Sequence, residues 1–343
     1  MTKAAELAKM GEVLTNSQIG GRRNIIINGA MEVAQRGTSA SSKTSSDYYT
    51  CDRWRTEASG ATFNTSQQSN TASDMATTGA KHFLRMEVTT GNNNSGISQK
   101  IEAKNIRQFK GEKLTLSFYA KGTNPNGGSF DVVRFIGNNS AAATSETSSL
   151  TVTSSFVKYT YTFDYPDEGS ITMTDATARM ALSFLQPNGD TSTNAWTLDI
   201  TSVQLEVGSK STPFEHRSFG EELALCQRYY SREEAATGAD YKRYGTGSWS
   251  AATVCEVLIP LSTPMRTTPT LETTGTVSDY AVYSAGAVDA STELTITNDA
   301  DAGTNNRAVA MYSRVSSGGV SGEGGTLLGN NNTDNFLALD AEL

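Results

Sequence analysis

Apolar and polar residues alternate along five segments in the middle of the chain. In each segment every second residue is apolar, and the positions between are mostly Thr, Ser, Lys, Arg or Asp. The apolar sets are Leu84/Met86/Val88, Leu114/Leu116/Phe118/Ala120, Val157/Tyr159/Tyr161/Phe163, Ala178/Met180/Leu182/Phe184 and Trp196/Leu198/Ile200. A period of two residues predicts strands with one buried and one solvated face, and the turn-rich connections favour two antiparallel sheets packed as a sandwich.

Local departures from this alternation predict where the strands bend or end. The alternation of apolar and polar positions shifts by one residue between Ile200 and Val203, which indicates a β-bulge or a strand end near Thr201 and Ser202. Residues 24–27 predict a first apolar strand, closed by the turn dipeptide Asn-Gly. Small polar residues predict exposed loops at 39–46, 64–79, 91–96, 123–128 and 137–149.

The pattern changes to a helical period after residue 217. Ser218 and Glu221 form an S-x-x-E capping box, which marks the start of a helix. The stripe that follows consists of Phe219, Leu223, Cys226 and Tyr230. We expect a linking helix over 218–232 and, because alternation resumes at Thr253/Cys255/Val257/Ile259, a smaller β domain over 233–343.

A short helix is predicted before the first domain, within an N-terminal segment of residues 1–23. Leu7, Met10 and Leu14 form one apolar stripe there. An isolated helix of fewer than about 12 to 15 residues is marginal in water, so the stripe needs a partner. That partner is a second copy, a socket on another protein, or the domain that begins at residue 24. These boundaries define the predicted domain organisation as 1–23, 24–217, 218–232 and 233–343.

Composition and charge support an all-β protein and exclude several classes of partner. Ser, Thr, Asn and Gly make up roughly two residues in five, which suits turns and solvated strand positions rather than helices. Lys and Arg number 28 against 36 Asp and Glu, a net charge of -8, so a nucleic-acid-binding surface is not expected. No apolar run approaches the roughly 18 residues that a membrane-spanning helix requires, so no membrane insertion is expected.

Candidate catalytic chemistry is sparse. Three Cys without a CxxC pair and two isolated His do not provide the usual zinc ligands or a dense disulfide framework. A G-x-S-x-G motif and a phosphate-binding loop are also missing from the sequence. Carboxylates such as Asp164 and Glu233 leave a glycosidase open as an alternative, because spacing in sequence cannot show a catalytic pair. The first residues lack the apolar core of a signal peptide, so synthesis in the cytoplasm is expected.

The tryptophans divide into two groups. Trp54 and Trp196 lie in or beside predicted strands, and we expect them in the sandwich core. Trp249 lies in a Gly/Ser-rich stretch near Tyr241 and Tyr244. These three are the candidate glycan-binding residues; Trp249 is the better candidate for an exposed ring among the tryptophans, although core packing is the favoured interpretation for it as well.

Several motifs in a fixed order resemble those of a known family. They are NIIINGAMEVAQRGT at 24–38, DRW at 52–54, LTLSFYAKG at 114–122, VQLEVG at 203–208, TPFE at 212–215, LCQRYYS at 225–231 and PMRTTPT at 264–270. The first five resemble the carbohydrate-binding-module-like jelly roll of bacteriophage tail fibres and other virion structural proteins, and the last two are similar to the segment that such phage proteins place after that jelly roll. The opening AAELAKM at 4–10, with GGRR at 20–23, is similar to the N-terminus of fibre-type proteins from short-tailed marine phages.

The resemblance implies a homotrimeric tail fibre located in the virion. In such a protein Leu7, Met10 and Leu14 would attach the chain to a phage tail adaptor or another particle protein, and the β domains would bind host cell-surface polysaccharide without cleaving it. Capsid decoration or a head fibre is the alternative role, and a glycan depolymerase is a third. No cofactor is required, but Glu32 and Asp199 stand where cellular jelly rolls hold a structural calcium ion.

Overall fold

The computed structural model describes residues 23–90, 95–124, 129–138, 142–165, 177–186, 195–235, 241–297 and 307–343. The chain divides into a first unit, Met1–Glu222 with Leu343, and a second unit, Leu223–Glu342. Within the described ranges, no helix combines the length and the apolar character needed to cross a membrane. The predicted N-terminal helix lies outside these ranges.

The first unit is an antiparallel sandwich of two six-stranded sheets. Its strands are β1 (Ser39–Lys43), β2 (Asp47–Tyr48), β3 (Arg55–Glu57), β4 (Thr62–Ser69), β5 (His82–Thr90), β6 (Gly96–Glu102), β7 (Lys113–Thr123), β8 (Ser129–Gly137), β9 (Ala142–Thr151), β10 (Val157–Asp164), β11 (Arg179–Leu185) and β12 (Trp196–Val207). One sheet has the order β1-β4-β5-β12-β7-β10 and the other β2-β3-β6-β11-β8-β9. Two short helices connect strands, α1 (Ala72–Thr78) and α2 (Ala103–Ile106), the latter followed by a 3-10 turn over Arg107–Phe109.

The inner faces of the two sheets form a single hydrophobic core. Trp54 and Trp196 are both buried in it, as predicted, and each indole N–H has an acceptor. Trp54 Nε1 donates to the Asn28 carbonyl oxygen at 2.9 Å, and Trp196 Nε1 donates to Gln186 Oε1 at 3.0 Å. These bonds satisfy the polar atom that each buried indole carries.

The predicted bulge in β12 is confirmed. The register of β12 against β7 shifts between Thr201 and Gln204, and Ser202 has φ +50°, in the left-handed region. Val203 N then donates to the carbonyl oxygen of Gly29 at 2.9 Å instead of continuing the regular ladder. The parity slip in the sequence therefore reflects a real irregularity in the strand.

The predicted first strand over 24–27 is wrong. Asn24 Oδ1 accepts hydrogen bonds from Ile26 N at 3.0 Å and Leu205 N at 3.1 Å, so a side chain takes the place of a strand carbonyl. Ile25 N is the main-chain donor to Leu205, at 2.9 Å. Asparagine side chains compete with regular backbone ladders in this way, which keeps the segment irregular although it is apolar.

Three of the predicted loops contain regular elements. The segment 39–46 holds β1, 64–79 holds most of β4 and all of α1, and 137–149 holds most of β9. β1 and β9 lie at the edges of their sheets, where little side-chain surface is buried. An edge strand rich in Ser and Thr therefore has the composition of a loop.

The second unit consists of a closed barrel and a small sheet, all antiparallel. Its strands are β13 (Tyr230–Glu234), β14 (Arg243–Ala251), β15 (Val254–Pro260), β16 (Thr270–Glu272), β17 (Tyr280–Ser284), β18 (Ala287–Ile296), β19 (Ala308–Val315), β20 (Gly324–Gly329) and β21 (Phe336–Asp340). A 3-10 turn over Val277–Asp279 precedes β17. The barrel has the order β14-β15-β19-β18-β17-β20, and the sheet β13-β21-β16. The prediction of an all-β chain with a sandwich and a smaller C-terminal β domain is confirmed.

Helix α3 (Phe219–Gln227) starts at the predicted capping box but is shorter than the predicted 218–232. Glu221 N donates to Ser218 Oγ and Ser218 N donates to Glu221 Oε2, both at 3.3 Å. The helix ends before Tyr230 because that residue pairs with Asp340 in the β13–β21 ladder. Phe219, assigned to the apolar stripe, is 58% exposed.

Candidate ligand-binding groove

A groove of about 570 Å³ runs over the outer surface of the barrel. It is built on neighbouring strands, because Thr246 of β14 lies opposite Leu258 of β15 on one side and Thr326 of β20 on the other. The lining residues are Arg243, Tyr244, Gly245, Thr246, Leu258, Pro260, Ala308 and Thr326. Backbone ladders on both sides of β14 fix the relative positions of these residues.

The lining combines apolar carbon with hydroxyl groups. Leu258 is 57% exposed, an unusual state for a leucine in a strand, and Pro260 and Ala308 extend the apolar floor. Thr246 and Thr326 add two hydroxyls that both donate and accept hydrogen bonds. A sugar ring presents the matching surface, since it carries C–H faces and a rim of hydroxyls.

The structure places the three sequence-predicted glycan-binding residues differently. Tyr244 lines the groove but is 6% exposed, and its hydroxyl contacts Asn335 Oδ1. Burial raises the pKa of Tyr244, so the phenol stays neutral. Tyr241 is 50% exposed but does not line the groove.

Trp249, a candidate glycan-binding residue, does not present an exposed ring and packs in the core instead, the interpretation that the sequence favoured. The side chain is 1% exposed and belongs to the barrel core, beside Cys255 of the paired strand. Space for the indole comes from Gly319, where a Cβ would lie 2.2 Å from Trp249 Cε3, and Gly325 leaves room for the neighbouring Cys255, whose Sγ would lie 2.5 Å from a Cβ there. The Gly/Ser-rich surroundings of Trp249 therefore reflect tight packing around a large ring rather than an exposed loop.

Leu258 is the groove residue that sequence reasoning missed, although a signal for it exists. The alternation that places Cys255, Val257 and Ile259 in the core places Glu256 and Leu258 on the outer face of β15. A leucine among the solvated positions of a strand places apolar surface on the outer face of the barrel. Pro260 and Ala308 carry no comparable signal, because their place in the groove depends on strand pairing that the sequence does not show.

A second aromatic feature lies at the edge of the sandwich in the first unit. The rings of Tyr159 and Tyr161 both stack on Phe118, with centroid distances of 5.7 and 6.1 Å and interplanar angles of 25° and 15°. Tyr159 Oη donates to the Thr151 carbonyl oxygen at 2.6 Å, and Tyr161 Oη donates to that of Ser149 at 2.9 Å. Burial raises the pKa of both tyrosines. The two half-buried rings are thus held in fixed positions.

The residues that suggested calcium already have partners among the side chains of the chain itself. Both carboxylate oxygens of Asp199 accept hydrogen bonds from Arg85, from Nε and Nη2, each at 2.8 Å. Burial raises the pKa of Asp199, an effect that the bonds from Arg85 oppose. Glu32 lies 3.3 Å from His82 Nδ1. In the part of the chain that the structure describes, no three His, Cys, Asp or Glu side chains form a metal-binding group. Glu32 and Asp199 therefore do not fit a calcium site.

Lys100 belongs to a cluster of basic residues on β3, β6 and β11. Burial lowers the pKa of Lys100 to about 8, and the positive charges of Arg55, Arg179 and Arg53 act in the same direction. Lys100 Nζ donates to the main-chain oxygen of Leu343 at 2.6 Å. The cluster makes the charge of Lys100 sensitive to mildly alkaline pH.

The predicted attachment residues Leu7, Met10 and Leu14 lie outside the described residues. Their role in attachment and oligomerisation stays a prediction from the sequence.

Comparison with known proteins gives only distant structural similarity. No protein-family model and no curated protein matches the sequence. Among solved structures, the chain is similar to the enzymatically active domain of tailspike protein 4 of bacteriophage CBA120, with 13% identity and a TM-score of 0.34 over 54% of this chain and 21% of that one. It is also similar to a family 11 carbohydrate-binding module of a Clostridium thermocellum cellulase, with 14% identity and a TM-score of 0.31 over 49% and 96% of the two chains. A third similarity is to the CBM22-2 xylan-binding domain of Paenibacillus barcinonensis Xyn10C, with 13% identity and a TM-score of 0.31 over 46% and 92%.

Proposed function

We propose that this chain is a bacteriophage tail fibre protein that binds host surface polysaccharide without cleaving it. In this proposal it is a homotrimer, residues 1–23 attach it to the particle, and the second unit carries the sugar-binding groove. The proposal takes the virion assignment from the motif resemblance and the binding chemistry from the structure.

The groove on the barrel is the observation that carries the binding function. Its floor is apolar and partly exposed at Leu258, and its hydroxyls come from Thr246 and Thr326 on paired strands. A rigid site loses little conformational freedom on binding. A single shallow sugar site typically binds near millimolar, about -4 kcal/mol, and copies on one appendage gain roughly 10² to 10⁴ in avidity. Trimerisation would therefore convert a weak site into useful attachment.

The lining chemistry supports binding rather than hydrolysis. Hydroxyls, a guanidinium group and apolar carbon hold a sugar in place. Glycoside hydrolysis uses two carboxyl groups on either side of the scissile bond. We therefore propose that bound polysaccharide is released intact.

Binding to host polysaccharide tests this function. Purified full-length protein is titrated with polysaccharide extracted from the host surface, and reducing ends are assayed in parallel. We expect Leu258→Asp to abolish binding while Val320→Asp, a change at an apolar residue that is also exposed (55%), leaves it intact. Absence of binding by the unaltered protein, or equal loss in both variants, would contradict the proposed site, and newly formed reducing ends would establish a depolymerase.

The virion role is tested separately. Light scattering should give a mass near three chains rather than one. Immunogold microscopy with serum against residues 218–343 should label the tail, whereas label over the capsid would favour the decoration role. Chains lacking residues 1–23 should be missing from particles, and their incorporation would refute attachment through that segment.

A further inference from the structure

We infer that the groove selects acidic sugars and that Arg243 binds their carboxylate. This inference rests on the proposed glycan-binding function and adds the substrate class of the same site. The geometry of β14, the distribution of charge along the groove and the chemistry of the guanidinium group support it.

Backbone geometry brings Arg243 into the groove. Arg243 and Thr246 are three residues apart, yet both are exposed and line the groove, although residues an odd number apart on a regular strand face opposite sides. The register of β14 against β20 shifts between Arg243 and Gly245, where two steps along β14 correspond to one along β20. Such irregularities re-aim side chains and are common beside functional sites.

Charge is distributed unequally along the groove. Arg243 and Pro260 lie towards one end of the groove. The other end lies near the pair of Thr246 with Leu258, and Glu256, which pairs with Ser248, lies two residues beyond it. Arg243 is exposed and is the charged member of the lining. Glu233, an acidic residue nearby in sequence, is held by Lys242 at 3.0 Å. An anionic group is therefore attracted to the Arg243 end and repelled from the Glu256 end.

A carboxylate on a sugar ring fits this arrangement. The planar guanidinium can bind a carboxylate through two parallel hydrogen bonds. The ring would then extend over Leu258 with its hydroxyls near Thr246 and Thr326. The groove volume of about 570 Å³ is within the range of small-ligand sites. A nucleic acid also carries negative charge, but the net charge of -8 on the chain disfavours such a densely charged polymer.

The test compares acidic and neutral forms of the same sugars. Full-length protein is titrated with oligomers of galacturonate, mannuronate and glucuronate and with their methyl esters, which keep the ring and lose the charge. We expect at least one acidic oligomer to bind about tenfold or more tightly than its ester, since a hydrogen bond to a charged group contributes roughly 1.5 to 3 kcal/mol. Arg243→Gln should remove that preference, because affinity for the acid should fall much more than affinity for the ester. Arg243→Lys should retain part of the preference, because it keeps the charge but loses the paired hydrogen bonds.

Matched controls separate this inference from the proposed function. Arg314→Gln removes an equivalent charge at a residue that pairs with Glu293 on another part of the barrel, and it should leave the preference intact. Equal loss in both arginine variants would indicate a nonspecific charge effect and overturn the inference. Equal affinity for acid and ester, with binding still lost in Leu258→Asp, would overturn the acidic preference but keep the glycan site. Equally tight binding of a sulfated sugar or of single-stranded DNA would also overturn selectivity for the carboxylate.

Discussion

Trp249 should act as an internal packing element of the barrel, and Gly319 should be required to accommodate it. A Cβ on Gly319 would lie 2.2, 2.6 and 2.7 Å from Cε3, Cδ2 and Cζ3 of the indole. All three distances are below van der Waals contact, and the ring is buried, so Gly319→Ala must displace either the loop or the ring. Gly324→Ala is the matched control, because the atom nearest to its Cβ is 3.9 Å away.

The size of the effect follows from overpacking. Forcing an extra methyl group into a packed core typically costs about 1 to 3 kcal/mol. For a unit the size of Leu223–Glu342, about 4 °C of melting temperature corresponds to 1 kcal/mol, so a decrease of roughly 4 to 12 °C is expected. Gly324→Ala should change the melting temperature by much less.

Calorimetry of the full-length chain measures the two glycine variants, alone and in a Trp249→Leu background. Removing the indole removes the atoms that collide with the new methyl group, so the cost of Gly319→Ala should fall in that background. The assignment of Trp249 as a buried packing element is wrong if Gly319→Ala and Gly324→Ala have the same melting temperature. It is also wrong if Gly319→Ala lowers the melting temperature equally with and without the indole.

Three further predictions concern the first unit and the start of α3. Calcium should leave the melting temperature unchanged. Asp199→Asn should lower the free energy of unfolding by about 1 to 3 kcal/mol, because it weakens the bonds from Arg85. A calcium-induced rise in melting temperature that disappears in Glu32→Ala would contradict this. The pKa of Lys100 in the folded chain is about 8, below the ordinary value of 10.5. Between these two pH values the unfolded chain binds more protons, so the contribution of Lys100 to the free energy of unfolding should rise with pH. Denaturant titration should show a flatter rise for Lys100→Met. Ser218→Ala should destabilise the chain by about 1 kcal/mol through loss of the cap, and a neutral result would show that the exposed 3.3 Å bond contributes little.

Strand alternation made the sandwich predictable because it reports directly which face of a strand is buried. It even located the bulge at Ser202, where the slip in parity coincides with the shift in register. The same reasoning failed for β9, whose Ser, Thr and Glu residues resemble a loop, because an edge strand buries little and needs few apolar residues. Helix α3 was predicted too long because Tyr230 continues the apolar stripe of the helix in the sequence, whereas in the structure Tyr230 belongs to β13 and pairs with β21.

The candidate site was less predictable than the fold. Tyr244 was identified from its aromatic character, and Leu258 could have been found from its place on the solvated face of β15. Core packing of Trp249 was favoured from the sequence, but its cause was not visible there, because room for the ring depends on Gly319, 70 residues later in the chain. The role of Arg243 depends equally on long-range pairing, between β14 and β20.

The tyrosine contacts at the sandwich edge have a consequence for solubility. β9 is an outer strand, and unoccupied carbonyl groups on such a strand can recruit a strand from another molecule. Tyr159 and Tyr161 donate their hydroxyls to the carbonyl oxygens of Thr151 and Ser149 on β9, so these acceptors are already used within the same chain. This edge is therefore protected against joining the sheet of another copy, and replacing both tyrosines with phenylalanine should promote aggregation even where the fold survives.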